Sequence, residues 1–180
     1  ASFRRRYRIG RCLPATAVPA GSQQAALVVR DNIRHRRAIE DAYLDAIAAA
    51  EHEIVIANAY FLPGRRFRRT LFDAARRGVR ITVLLQGKVE YRLQHYATQA
   101  LYGALLEAGI RVFEYRRSFL HAKVAVIDGQ WATVGSSNID PFSLLLAKEA
   151  NVVVRDGDFA AALHTSLHQV LATDTAELRR

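Results

Sequence analysis

Apolar positions along this chain switch repeatedly between two periods. Over residues 36 to 51, Ile39, Tyr43, Ile47 and Ala50 recur at helical spacing, so one amphipathic helix is predicted there. IVIANAY (54 to 60) is instead a nearly continuous β-branched and small apolar run and predicts a strand. Pro63 and Gly64 break the chain before a second helix over 65 to 77, with Gly78 placed as its C-terminal cap. RITVLLQ (80 to 86) predicts the next strand, 97 to 108 a third helix ending at Gly109, and RVFEY (111 to 115) a third strand. AKVAVID, WATVG and ANVVVR supply three more short strands, and 157 to 172 a closing helix. Strands alternating with helices, several apolar on both faces, predict an α/β layer sandwich with a covered sheet. The pair 122 to 127 and 131 to 135, joined by Asp128-Gly129-Gln130, reads as a hairpin, so the sheet is mixed.

Residues 1 to 26 have no such period. They read as an arginine-rich arm followed by a Pro/Ala/Gly/Ser linker, leaving 27 to 180 as one domain. At 180 residues the chain can bury about two thirds of its unfolded surface, so it needs no covalent staples. The lone Cys12 excludes an intrachain disulfide, a zinc ribbon and a redox pair, and a reducing compartment is the expected setting. No apolar run approaches the ~18 residues of a membrane span, so any membrane contact is expected to be peripheral. A start at Ala1 with no methionine anywhere leads us to expect a processed product or a fragment of something longer.

Charge narrows the partners without naming one. Basic residues number 26 against 17 acidic, a net +9, and the arginines cluster at 4 to 11, 30 to 37 and 65 to 69. Such clusters draw polyanions, and the field alone does not separate nucleic acid from an anionic lipid leaflet.

The chemistry concentrates in HAKVAVIDGQWATVGSSNID, residues 121 to 140. Side chains two apart on a strand share a face, so His121 and Lys123 are expected to emerge together. Ser136 and Asn138 are again two apart, on a Gly-Ser-Ser turn where backbone can approach a ligand. An imidazole can attack phosphorus while an ammonium and an amide hold the phosphoryl oxygens, with no metal required. A histidine and a lysine two apart are common by chance. The longer pattern His-x-Lys-x4-Asp-x6-Gly-Ser-x-Asn is not, and His121, Lys123, Asp128, Gly135, Ser136 and Asn138 meet it without departure.

This pattern resembles the HKD signature of the phospholipase D superfamily. The resemblance implies a phospholipase D-like layer sandwich and, position by position, a set of roles. His121 is the nucleophile that forms a phosphohistidine or its acid/base partner, and Lys123 and Asn138 hold phosphate. Ser136 hydrogen-bonds within the site. Asp128 completes the catalytic signature in a structural way, tethering the hairpin, and Glu149 orients the imidazole through its other nitrogen. From about Val28 onward the text is similar to the second half of bacterial cardiolipin synthases, most diagnostically in SNIDPFSLLLAKEAN. That implies phosphatidyl transfer between two phosphatidylglycerol molecules, without cofactor, at the cytoplasmic side of a bacterial inner membrane. Phospholipase D chemistry uses two histidines, yet His35, His52, His95, His164 and His168 all lack a lysine two positions on. The second half is therefore expected from an upstream domain or from an identical chain. The alternative is a single-motif phosphodiesterase or nuclease active as a homodimer, with nucleic acid the less favoured partner.

Other features carry weaker signals. His164 and His168 stand one helical turn apart, but with no acidic or cysteine partner near in sequence a surface helix is the expectation. Tyr60 and Phe61 are candidates for lining the site or for the core, as are Tyr91, Arg92 and His95 in the loop after RITVLLQ. Arg116 and Arg117 precede the motif and could steer an anionic head group.

Overall fold

The structure, a computed structural model, describes residues 21 to 89 and 92 to 179, without the side chains of 92 to 95. The described elements run β1 (Gln24–Arg30), α1 (Ala38–Ala49), β2 (Glu53–Asn58), α2 (Arg65–Arg76), β3 (Arg80–Gln86), α3 (Arg92–Glu107) and β4 (Arg111–Tyr115). They continue as β5 (Lys123–Ile127), β6 (Trp131–Gly135), α4 (Pro141–Leu145), β7 (Glu149–Arg155), α5 (Gly157–Thr173) and β8 (Thr175–Glu177). All eight strands join one open sheet in the order β1-β7-β6-β5-β2-β3-β4-β8. β2, β3 and β4 pair in parallel and every other pairing is antiparallel. Parallel neighbours need crossovers, which α2 and α3 supply.

Alternation along each strand divides the core in two. Ile54, Ile56, Val83, Leu85, Val112, Ala125 and Val153 face α1, α2 and α3, where Tyr43, Ile47, Phe67, Leu71 and Leu105 close over them. Val55, Ala57, Leu84, Val126 and Ala132 face α5 through Ala160, Leu167 and Leu171. A strand covered on both faces has no polar side, which is why IVIA and TVLL read as unbroken apolar runs.

The predicted α/β sandwich with a mixed, largely covered sheet is the observed architecture. The tail is the main correction. The predicted boundary at residue 26 falls inside β1, which pairs with β7 over its whole length from Gln24↔Arg155 to Arg30↔Glu149. Ala26, Val28 and Arg30 are buried while Leu27 and Val29 are exposed. An edge strand whose buried positions are Ala26, Val28 and Arg30 carries little periodic signal, so a linker and a strand look alike there. Residues 1 to 20, with most of the arginine arm, lie outside the described residues. Two other elements were not anticipated. α4 starts where the Asp140 carboxylate accepts from the Phe142 and Ser143 amides ahead of Pro141, and β8 adds three residues to the edge beside β4.

Candidate active site

The topology sends one end of each central strand to a single edge of the sheet. β2 ends there at Asn58 and, running parallel to it, β3 ends at Gln86 and β4 at Tyr115. β5 is antiparallel to β2, so its first residue, Lys123, lies opposite Asn58. β6 returns to the same edge at Gly135, β7 departs from it at Glu149, and β1 reaches it at Arg30. Open α/β sheets bind ligands beyond the carboxyl ends of their parallel strands, and this is that edge.

His121 stands two residues before the first residue of β5 and is exposed. The Ala59 amide donates to the Ala122 carbonyl at 3.0 Å, so the β2–β5 ladder continues past Lys123 and fixes the chain just behind His121. The ring makes no hydrogen bond among the described residues. Lys123, by contrast, is 6% exposed. Asn58, opposite it, accepts on Oδ1 from the Ile139 amide at 3.1 Å, and the Leu62 amide donates to the Ile139 carbonyl at 2.8 Å. These bonds draw the turn after β6, with Asn138, across the end of β2.

Ser136 and Glu149 meet directly. The Ser136 hydroxyl donates to Glu149 Oε2 and accepts from the Ala150 amide at 3.1 Å, while its own amide donates to the Ala150 carbonyl at 3.0 Å. Glu149, expected behind the imidazole, is engaged here by the serine. The Gly-Ser-Ser turn is shaped by Asn151, buried at 1% exposure, which accepts from the Ser137 amide and donates to Thr133 Oγ1 at 3.3 Å. A Cβ on Gly135 would lie 2.1 Å from Asn151 Oδ1 and 2.6 Å from the Ala150 carbonyl oxygen. Only glycine fits that approach.

Three buried polar atoms at this edge have no hydrogen-bond partner among the described residues: Asn58 Nδ2, Gln86 Nε2 and Asn138 Oδ1. Gln86 is otherwise engaged, accepting the Leu120 amide on Oε1 at 3.0 Å just ahead of His121. Buried amides left with spare donors and acceptors mark a place where a polar ligand can complete them.

Sequence reasoning did not single out Asn58, Gln86, Asn151 or Arg30. For Asn58 and Asn151 a signal existed, since each is the lone amide inside an apolar strand run. Arg30 had been grouped with the polyanion-attracting arginines. It is instead fully buried, its guanidinium donating to the carbonyls of Leu145 and Ala147 and, from Nε, to that of Arg36 at 3.4 Å. It pins the connection between α4 and β7 immediately before Glu149. Much of the 65-to-69 cluster is likewise spent on neighbours: Arg66 faces Glu40 and Asp41, and Arg69 faces Asp73.

Asp128 is not with the other signature residues. It lies at the opposite end of β5, roughly 17 Å from Lys123 at a strand rise of ~3.3 Å per residue. There it accepts the amides of Glu51, His52 and Glu53 at 2.8 to 2.9 Å, and its own amide donates to the Glu53 carbonyl. Its φ of 51° puts it in the left-handed region that aspartate tolerates in turns. Burial raises the carboxyl, and the amides of Glu53, Glu51 and His52 with the nearby His52 charge outweigh it, so the net shift is downward. Counted with the catalytic signature, Asp128 is placed by the structure as the lock between the hairpin and the α1–β2 turn.

The remaining candidates divide. Phe61 is a core residue, fully buried and edge-on to Phe67. Tyr60 is half-buried beside it. Arg116 pairs with Glu114 at 3.0 Å and Arg117 with Asp174 at 3.6 Å, so both have local partners. Tyr91 and the side chains of Arg92 and His95 lie outside the described residues. His164 and His168 correct the expectation of a partnerless surface pair, because the fold brings Glu53, 111 residues away, to 2.7 Å from His164. Sequence distance hid that carboxylate.

Comparison with known proteins agrees with the fold and with the family resemblance. Residues 43 to 171 match the family described as cardiolipin synthase, PLD-like domain. Cardiolipin synthase B of Shigella flexneri is 48% identical over 158 residues, covering 88% of this chain and 38% of that protein. Cardiolipin synthase A of Proteus mirabilis is 34% identical over 137 residues, 76% of this chain and 28% of that protein. The chain thus spans 28 to 38% of the length of these curated relatives. Among solved structures, Nuc from Salmonella typhimurium, a phospholipase D family member, superposes with a TM-score of 0.74 at 18% identity, covering 88% of this chain and all of Nuc. The phosphatidylserine synthase of Haemophilus influenzae superposes with a TM-score of 0.75 at 14% identity, over 97% of this chain and 44% of that one. At such identities these two speak for the fold.

Proposed function

Because the chain belongs to the family of phospholipase D-like domains of cardiolipin synthases, we propose that it is one catalytic unit of a phosphatidyltransferase that makes cardiolipin from phosphatidylglycerol. The observation that carries this reading is the gathering of His121, Lys123, Ser136, Asn138 and Glu149 at one sheet edge, beside three buried amide atoms that lack partners among the described residues. The support from relatives is the 48% identity to a cardiolipin synthase across nearly the whole chain.

The chemistry needs two imidazoles, of which His121 is one. One ring nitrogen attacks the phosphorus of phosphatidylglycerol, forming a P–N bond as the P–O bond to glycerol breaks, and the other imidazole gives the departing oxygen its proton. A hydroxyl of a second phosphatidylglycerol then attacks phosphorus, breaks the P–N bond and returns a proton to that second imidazole. Lys123 and Asn138 hold the phosphoryl oxygens throughout. Buried charge is worth most where water is scarce, which suits a lysine at 6% exposure. Ser136 fixes Glu149 at the rim, where it can turn to an imidazole once substrate orders the edge.

The second histidine comes, in this reading, from another unit of the same fold. Leu27, Val152, Val134 and Val124 form one row across β1, β7, β6 and β5 in direct register, on the part of the α5 face that α5 leaves open. Leu27 is 51% exposed, Val152 41% and Val134 40%. An exposed apolar row running beside the site edge fits a docking face. The relatives' greater length supplies a candidate occupant, an upstream unit of the same chain. Val152→Asp in the full-length protein is expected to separate the units and cut transfer at least tenfold while this domain keeps its fold by circular dichroism.

No described helix is long and apolar enough to cross a membrane. Peripheral attachment at the cytoplasmic side of the bacterial inner membrane fits the net charge of +9 and an anionic phospholipid substrate. A nuclease of paired single units is the second reading, favoured by the coverage of Nuc's entire chain by this one domain. One experiment separates them. The full-length protein and its His121→Ala variant are incubated with phosphatidylglycerol vesicles and, separately, with DNA. Cardiolipin from the parent alone supports the transferase; equal cardiolipin from both, or salt-sensitive DNA cleavage without cardiolipin, defeats it.

A further inference from the structure

The edge opposite the site holds a second cluster. His164 and His168 sit four residues apart on α5, their rings 4.2 Å centroid to centroid. Glu53, the first residue of β2, reaches them: its Oε2 is 2.7 Å from His164 Nε2, and one ligating atom from each of the three lies within 4.8 Å of the other two. Glu53 and His164 are half-buried and His168 is exposed.

We propose that Glu53, His164 and His168 bind a divalent transition metal, zinc by preference, with water at the fourth position. Two imidazoles one helical turn apart plus a carboxylate from a separate element is a borderline-soft donor set suited to zinc. The distances agree. Bonds of about 2.0–2.1 Å in a tetrahedron set donor atoms roughly 3.3 Å apart, so the 2.7 Å pair opens by about half an ångström and the third atom closes by up to about one and a half. Both histidines reach from the helix, and the carboxylate is held by its strand. The Glu53 amide donates to Asp128 and its carbonyl accepts the Asp128 amide, so the backbone under the carboxylate is fixed from both sides. Such outer-shell anchoring keeps a ligand in place when metal enters.

The other charged groups around the cluster permit a cation. Arg80 Nε stands 3.7 Å from Glu53 Oε1, the oxygen that does not meet His164, so the arginine can remain as the metal takes Oε2. The hydrogen shared between His164 and Glu53 leaves as metal binds. The consequence is a clamp between α5 and the start of β2, joining a helix on one face of the sheet to the strand beneath it. It lies at the far edge from His121 and does not depend on the transferase reading.

The test is titration of the untagged full-length protein, stripped with chelator, using zinc by calorimetry and cobalt by visible absorption. A single site with a dissociation constant on the order of 1 μM or tighter is expected, with the bands of four-coordinate cobalt and a rise in melting temperature of roughly 5 °C at saturating zinc. His168→Ala, at an exposed position, is expected to weaken binding about 100-fold and abolish the thermal shift while leaving the metal-free melting temperature unchanged. Glu53→Gln provides the second variant, with weaker binding expected again. His52→Ala, a neighbouring exposed histidine outside the cluster, is expected to bind like the parent. Saturation only in the millimolar range, or equal affinity in His168→Ala and the parent, overturns the proposal.

Discussion

The two edges of this sheet are built from the same residue types, histidine, carboxylate and amide, and use them in opposite ways. At one edge polar side chains are tied to backbone on one side and left with capacity on the other: among the described residues, Asn58 accepts from Ile139 with its Nδ2 unpartnered, and Gln86 accepts from Leu120 with its Nε2 unpartnered. At the other edge Asp128 spends both carboxylate oxygens on three amides. A satisfied carboxylate stabilises and an unsatisfied amide waits, so the first edge keeps capacity for a polar ligand while Asp128 at the second is spent on structure. The signature His-x-Lys-x4-Asp spans both edges because four residues of strand lie between its cation and its carboxylate.

Substitutions can sharpen that contrast. The largest effect is expected from His121→Ala, which should lower phosphatidyl transfer by about 10^4-fold while leaving the melting temperature unchanged, since the ring is exposed and makes no hydrogen bond among the described residues. Loss of stability in that variant would mean the edge is structural after all. Arg30→Met comes next. Three carbonyls lose their donor in a fully buried place, and urea unfolding should report a loss of about 3 kcal/mol, with Arg30→Lys restoring only part because an ammonium lacks the fork.

Asp128→Ala should have the smallest effect, about 1–2 kcal/mol of stability, with turnover per folded molecule unchanged. Its pH dependence follows from sign. The folded carboxyl sits below its ordinary value, so its stabilisation is present above the unfolded pKa of about 3.9 and lost as pH falls through the folded one. The stability gap between parent and Asp128→Asn should therefore hold from pH 7 down to about 5 and narrow toward pH 3. A gap that persists at pH 2 would show that the charge is not what matters.

Much of this was legible beforehand where burial is two-sided. β3, β4 and β6 were read at their exact observed limits because apolar runs between turn residues have few alternative registers. The hairpin at Asp128-Gly129 was legible from its turn chemistry, and both residues take positive φ. β1 and β8 were not, because an edge strand has one neighbour and one wet face and so little pattern to read. The site divided similarly. Its candidate groups, His121, Lys123, Ser136 and Asn138, were visible as a spaced motif, whereas Asn58, Gln86, Asn151 and Arg30 each engage a partner 14 to 117 positions away.

The chain's local text determined the order of strands and helices, the hairpin and the identity of the motif, since propensity, turn chemistry and spacing act within a few residues. Which end of each strand faces which, that Asp128 locks onto the α1–β2 turn, that Arg30 pins the chain just ahead of Glu149, and that Glu53 meets two histidines were decided only by tertiary pairing. Register across a sheet is a long-range agreement among several segments, and no single segment carries it.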